Sequence, residues 1–230
     1  MKQLLLDINA EIPRSLDTFV IGRHAEVMHL LQLYVKRFPS TYGERSLYLW
    51  GESGAGKSHL LQALANGPAA QYINASSAIT DFEYSQEISL YLLDDCQNLD
   101  GVQQIAAFNL FNQIKENNAF FVAAGSLPPM ILAVRDDLRT RLGWGLIYQL
   151  HGLTDEEKVA ALEAAARTRG ITIPTGVLFY LISHYRRDMP SLSTMMDALI
   201  RFSLENKRPI TLPLLRELMV RNENELMNDK

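Results

Sequence analysis

The sequence holds one cysteine, Cys96, no long uninterrupted apolar run and no excess of positive charge. A lone thiol makes neither an internal disulfide nor a cysteine-based zinc centre, so a reducing compartment fits. The longest apolar stretch, 119–134, is interrupted by Gly125, Ser126, Pro128 and Pro129, which excludes a membrane-spanning helix there. Only Leu4, Leu5 and Leu6 run together before Asp7, too few for an export signal, and a cytoplasmic location is expected. Twenty-two Lys and Arg against 26 Asp and Glu leave a net charge of −4, which argues against a whole-surface nucleic-acid binder. His24, His29, His59, His151 and His184 lack ligand spacing, so no imidazole-based metal centre is expected.

What is present is enough for a globular protein. A chain of 230 residues with 47% hydrophobic content buries roughly 70% of its unfolded surface. Strand-like apolar runs at 46–50, 71–74, 89–93, 120–124 and 147–150 alternate with helical patterns, which predicts an α/β fold with a five-stranded parallel sheet and helices on both faces. One crossover helix is expected at 102–117, its apolar face carrying Ile105, Phe108, Leu110, Phe111 and Ile114 and its polar Gln103, Gln104, Asn112 and Lys115 facing solvent. Trp50 and Trp144 are expected to anchor the core.

After His151 the strands cease. Thr154 and Glu157 form a capping-box pattern opening a helix over 155–169, with Gly170 as its stop. Further helices are expected at 175–185, 191–205 and 211–222, with Pro174, Pro190, Pro209 and Pro213 near their boundaries. The predicted division is therefore an N-terminal peptide and linker (1–15), an α/β domain (16–151) and a small all-helical lid (152–230).

The strongest chemical signal is Gly51-Glu52-Ser53-Gly54-Ala55-Gly56-Lys57-Ser58, between the first strand and a helix expected at 59–66. Glycines let the backbone curl until several N–H groups converge on a phosphate, and the helix places its positive dipole end beside them. Lys57 would reach the β and γ phosphates and Ser58 the magnesium ion. The plainer alternative is a glycine-rich turn that caps a helix. Leu90-Tyr91-Leu92-Leu93-Asp94-Asp95 places two acids at a strand end, where Asp94 would hold the metal's water shell and Asp95 would orient an attacking water. Asp94 and Asp95 could also simply open a surface loop.

Four segments resemble the AAA+ ATPases, and more narrowly the replication initiator DnaA and its relatives: residues 56–61, residues 92–97, Arg139-Thr140-Arg141-Leu142-Gly143-Trp144-Gly145-Leu146, and Asp17-Thr18-Phe19-Val20-Ile21-Gly22-Arg23. Together they span about residues 16–220. The resemblance implies a P-loop AAA+ domain with a helical lid, bound ADP or ATP with Mg2+, and a nucleotide site of Gly51, Ser53, Gly54, Ala55, Gly56, Lys57, Ser58 and His59, with Phe19, Val20 and Gly22 over the adenine. It places Ser58 and Asp94 on the metal, Asp95 and Ser126 at the hydrolysis centre, and Arg141 as an arginine finger acting on a neighbouring subunit.

The pattern lacks the initiator's N-terminal oligomerisation and C-terminal DNA-binding domains. In this it is similar to the DnaA-related regulatory inactivators, which dock on the β sliding clamp through a short N-terminal peptide. Gln3, Leu4, Leu6 and Ile8 look like that peptide's anchors; from the residues alone, the same cluster reads first as an edge strand or a plug packed on its own core, and the resemblance turns the reading to clamp docking. The implied function is stimulation of ATP hydrolysis by DnaA, converting it to the ADP form. DNA is then met only through the clamp, and the finger's neighbour is DnaA or a second copy of this chain.

Two positions depart from the family. Ser126 stands where an acid is usual, and Pro190 stands where the lid normally supplies an arginine, although Arg186 and Arg187 lie close by. Slow intrinsic ATP hydrolysis is expected from these departures. The competing function is a helicase loader or other DnaA-like ATPase on single-stranded DNA, which would show a steep salt dependence. A small-molecule kinase would need an acceptor pocket that no motif announces.

Overall fold

In the computed structural model, which describes residues 16, 24–37, 43–186 and 188–228, five strands form one sheet: β1 (Ser46–Trp50), β2 (Ala70–Ile73), β3 (Leu90–Leu93), β4 (Phe120–Gly125) and β5 (Leu146–Gln149). All neighbours are parallel, in the order β2-β3-β4-β1-β5. The clamp-peptide candidates Gln3, Leu4, Leu6 and Ile8, the adenine-side candidates Phe19, Val20 and Gly22, and Arg187 lie outside the described residues.

Alternation along each strand divides the apolar side chains between two faces. Leu47, Leu49, Leu90, Leu92, Phe120 and Val122 join one core with α1 (Ala25–Val35) and α2 (Lys57–Ala65). Tyr48, Tyr91, Leu93, Phe121 and Ala123 join the other with α3 (Gly101–Glu116) and α4 (Asp136–Leu142). Because both faces are covered, β3 and β4 are buried at every residue, and their sequences are continuous apolar runs. Leu61 is wholly buried in the first core, and truncating such a side chain to alanine costs about 2–5 kcal/mol.

The crossover helix corrects the sequence expectation at two residues. Leu110, Phe111 and Ile114 are buried as expected, but Ile105 is 44% exposed and Gln103 is buried. Asp100 caps α3 by accepting from the Gln103 N–H at 2.8 Å, while the Gln103 Oε1 accepts from the Asp100 N–H at 3.1 Å. The Gln103 amide also donates to the Ala75 carbonyl at 3.0 Å. Burial is tolerated because the polar group is satisfied on both sides.

The chain divides into two units, 1–152 and 153–230. The described residues of the second form four helices, α5 (Asp155–Thr168), α6 (Thr175–His184), α7 (Met189–Asn206) and α8 (Leu212–Asn228). Thr154 and Glu157 close the expected capping box, with bonds of 3.2 and 2.8 Å. Leu162, Leu178, Leu181, Leu192, Leu199 and Leu214 form its core, and Arg169 pairs with Asp197. Asp188 caps α7 by accepting from the Ser191 N–H at 2.9 Å. Among the described residues, no helix is long and apolar enough to cross a membrane.

Candidate nucleotide-binding site and arginine surface

The chain leaves β1 at Gly51, where a Cβ would lie 2.1 Å from the Leu150 carbonyl oxygen. Leu150 is itself bound to this strand end, its N–H donating to the Trp50 carbonyl at 2.7 Å. Only glycine passes this point without displacing backbone. Gly56, at φ 93°, takes a left-handed conformation and turns the loop into α2, whose first N–H groups have no partner within the helix.

Lys57 opens α2 and is 7% exposed. Its ammonium donates to the Gly51 and Glu52 carbonyls at 2.7 and 2.9 Å, so the loop is wrapped around its own lysine. Burial pulls the Lys57 pKa down, against the opposing influence of the Asp95 and Asp94 carboxylates. Gly51, Ser53, Gly54, Ala55, Gly56, Lys57, Ser58 and His59 are thus gathered on one loop and the first helical turn. This arrangement fits a magnesium-bound polyphosphate: a curled backbone, a helix N-terminus, a hydroxyl, a primary cation and acids near it.

Asp94 follows β3 and is 2% exposed. The Tyr72 hydroxyl on β2 donates to its Oδ2 at 2.6 Å and the Asp95 N–H donates to its Oδ1 at 2.9 Å. Asp95 takes a left-handed turn at φ 47°. Its Oδ1 accepts from the Gln97 amide at 3.2 Å, and the same amide's Oε1 accepts from the Ser126 N–H at 3.0 Å. The structure therefore joins Asp95 to the Ser126 backbone through Gln97. On the neighbouring turn the Tyr48 hydroxyl donates to the Leu127 carbonyl at 2.9 Å. Sequence reasoning missed Tyr48, Tyr72 and Gln97. Apolar alternation explains the two tyrosines equally well, and no motif singles out the glutamine.

Arg141 lies elsewhere. It lies in the last turn of α4, four residues before Gly145, where a Cβ would sit 2.1 Å from the Ser46 carbonyl oxygen at the start of β1. The phosphate loop begins at the other end of β1, and five residues of strand separate these ends by roughly 13 Å. Arg141 faces two aromatic rings, with its Cζ 4.0 Å from the Trp144 centroid and 5.3 Å from that of Phe108. Among the described residues it makes no ion pair, whereas Arg139 pairs with Asp136 and Arg135 with Asp137. Trp144 is 45% exposed, which corrects its expected role as a core anchor; Trp50 is partly buried against the core.

Comparison with known proteins places this geometry in a family. A model of the lid domain of Hda matches residues 155–219, and a model of the bacterial DnaA ATPase domain matches residues 13–81. An uncharacterized protein of Haemophilus influenzae is 32% identical over 95% of this chain and 98% of its own. The chain belongs to the Hda family. It is a DnaA-like AAA+ replication protein with an Hda-type lid. Domain III of DnaA, the replication initiation protein of Thermotoga maritima, has the same fold, with a TM-score of 0.76 at 20% identity over 91% of this chain and 97% of that one. AMPPCP-bound DnaA from Aquifex aeolicus has a TM-score of 0.71 at 20% identity, covering 94% of this chain and 71% of that one.

Proposed function

We propose that this Hda-family chain is a nucleotide-bound regulator of replication initiation. It docks on the β sliding clamp through Gln3, Leu4, Leu6 and Ile8 and stimulates ATP hydrolysis by DnaA, leaving the initiator in its ADP form. The observation that carries this reading is the separation of Arg141 from the chain's own phosphate loop by the length of β1. A guanidinium at that end of the sheet is available to a phosphate held by another protein.

In its own site the backbone of 51–56 and the Lys57 ammonium bind ADP or ATP, exchanging the Gly51 and Glu52 carbonyls for phosphate oxygens at Nζ. Ser58 and Asp94 are the residues that would hold Mg2+, which supplies charge neutralisation on the phosphates when bound. Asp95, steered by Gln97, would orient water there, and Ser126 brings no charge to assist, so intrinsic hydrolysis is slow. In trans, a guanidinium stabilising the charge of phosphoryl transfer contributes about 10³ to 10⁵ in rate.

The test is single-turnover hydrolysis of ATP prebound to DnaA, in the presence of clamp. Arg141→Ala is expected to remove the stimulation while leaving clamp retention intact. A Gln3→Ala, Leu6→Ala double variant is expected to lose clamp retention. Undiminished stimulation by Arg141→Ala would refute the finger, and undiminished retention of the double variant would refute the peptide.

A further inference from the structure

The side chain of Arg141 is held in an unusual way for an arginine at a helix end. Its Nε is buried without a hydrogen-bond partner among the described residues, and its contacts are the rings of Trp144 and Phe108. A carboxylate at this place would occupy the N–H donors and neutralise the charge, as Asp136 does for Arg139. A ring face attracts the cation through its quadrupole and leaves the charge and the terminal N–H groups to an outside anion.

Trp144 is itself fixed. Its backbone N–H donates to the Arg141 carbonyl at 3.1 Å, the Phe111 ring meets its indole edge-on at 6.4 Å, and the following Gly145 is pressed onto Ser46. The Lys115 ammonium stands 3.7 Å from the centroid of the same indole. A ring that touches two cations and remains nearly half exposed is poorly explained as core filling. The run Arg141-Leu142-Gly143-Trp144-Gly145 then has a local logic. Leu142 is buried, and Gly145 allows the close approach that holds the indole against the guanidinium.

We propose that Trp144 is the positioning residue of Arg141. Together with Phe108 it holds the guanidinium in a fixed, charged and unpaired state, ready for a phosphate carried by a second protein. The proposal rests on the assignment of Arg141 to hydrolysis in trans.

The experiment compares full-length wild type, Trp144→Leu, Trp144→Phe and Arg141→Ala in single-turnover hydrolysis on DnaA across a concentration series. Thermal midpoints are measured alongside. Trp144→Leu is expected to lower the maximal rate by about tenfold with little change in the half-saturating concentration, and Trp144→Phe to restore most of it. A Trp144→Leu variant with the full maximal rate, or with only a raised half-saturating concentration, would overturn the positioning role. A lower thermal midpoint in Trp144→Leu with no recovery of rate in an equally stable Trp144→Phe would reduce Trp144 to a structural residue.

A second readout needs no DnaA. In arginine-labelled protein, the Nε–H resonance that disappears in Arg141→Ala is expected to be shifted by the ring current in wild type and in Trp144→Phe, and to return to the ordinary arginine position in Trp144→Leu. If wild type fails to stimulate DnaA, the function proposed above falls. The resonance still decides whether the aromatic seat exists, and an unshifted resonance overturns it.

Discussion

The Tyr72 hydroxyl, on the edge strand of the sheet, donates to the buried Asp94 carboxylate at 2.6 Å. With the Asp95 N–H on the other oxygen, each carboxylate oxygen has one donor and the side chain is aimed. Tyr72→Phe removes one of these two bonds. Hydrogen bonds to charged groups contribute about 1.5–3 kcal/mol, so the urea midpoint is expected to fall accordingly. A supporting bond of this kind typically changes metal affinity by about tenfold or more, so the magnesium-dependent part of ATP affinity is expected to drop while affinity in EDTA is unchanged. Calorimetric titration with and without magnesium checks both halves.

Alkaline pH is expected to destabilise the protein in a defined window. Tyr72 is pushed up to about 12, first by burial and then by its bond to Asp94. Burial also raises Tyr34, Tyr48 and Tyr91 above the ordinary 10.0. In each case the folded protein holds the phenolic proton more tightly than the unfolded chain does. The resulting stabilisation is complete below pH 10 and is lost as the pH rises through the folded values. Tyrosinate absorbance at high pH should show these four of the nine tyrosines titrating late and together with unfolding. Independent titration of all nine in folded protein would contradict it.

Gly125 and Tyr48 are expected to be strongly coupled. A Cβ at Gly125 would lie 2.1 Å from the Tyr48 hydroxyl, which is held in place by its bond to the Leu127 carbonyl. Gly125→Ala must therefore displace a fully buried ring, at a cost of about 1–3 kcal/mol. Tyr48→Phe alone loses a single hydrogen bond, about 1 kcal/mol. In the double variant the missing oxygen removes the 2.1 Å contact and leaves the tighter-than-usual 3.1 Å approach to the ring Cζ, so the combined cost should fall short of the sum by about 1 kcal/mol. Additive denaturation energies would show that the clash is relieved some other way.

The phosphate loop was legible because its chemistry is local: its glycines, lysine and serine are consecutive and need no knowledge of what packs beside them. The inner strands were legible for a related reason, since burial on both faces leaves β3 and β4 as continuous apolar runs; β1 occupies 46–50 as expected, and the partly buried edge strand β2 is displaced by one residue to Ala70–Ile73. What the sequence concealed is whatever depends on sheet order. Tyr72 reaches Asp94 only because β2 lies beside β3, and Asp95 reaches Ser126 only because β3 lies beside β4. Gln103 was misassigned because a polar residue in a first helical turn looks solvated until Ala75 is found against it. Trp144 was misassigned because tryptophan usually signals the interior, and the cations that occupy its ring come from α3 and α4.

Gln97 offers the sharpest separation between the chain's own chemistry and its action on a partner. Its amide orientation follows from its neighbours: the Asp95 carboxylate needs a donor and the Ser126 N–H needs an acceptor, and Gln97 supplies both at 3.2 and 3.0 Å. Gln97→Glu keeps the size and the acceptor for Ser126 but sets a second negative charge against Asp95. Asp95 should then turn away from the position in which Gln97 holds it, and if Asp95 orients water as proposed, intrinsic single-turnover hydrolysis is expected to fall by about tenfold or more. Nucleotide affinity should change little, because Lys57 and the loop amides are untouched. Stimulation of DnaA should also survive, because Arg141 stands at the opposite end of β1. Parallel loss of intrinsic and stimulated hydrolysis would show that the two activities share one centre, contrary to the geometry.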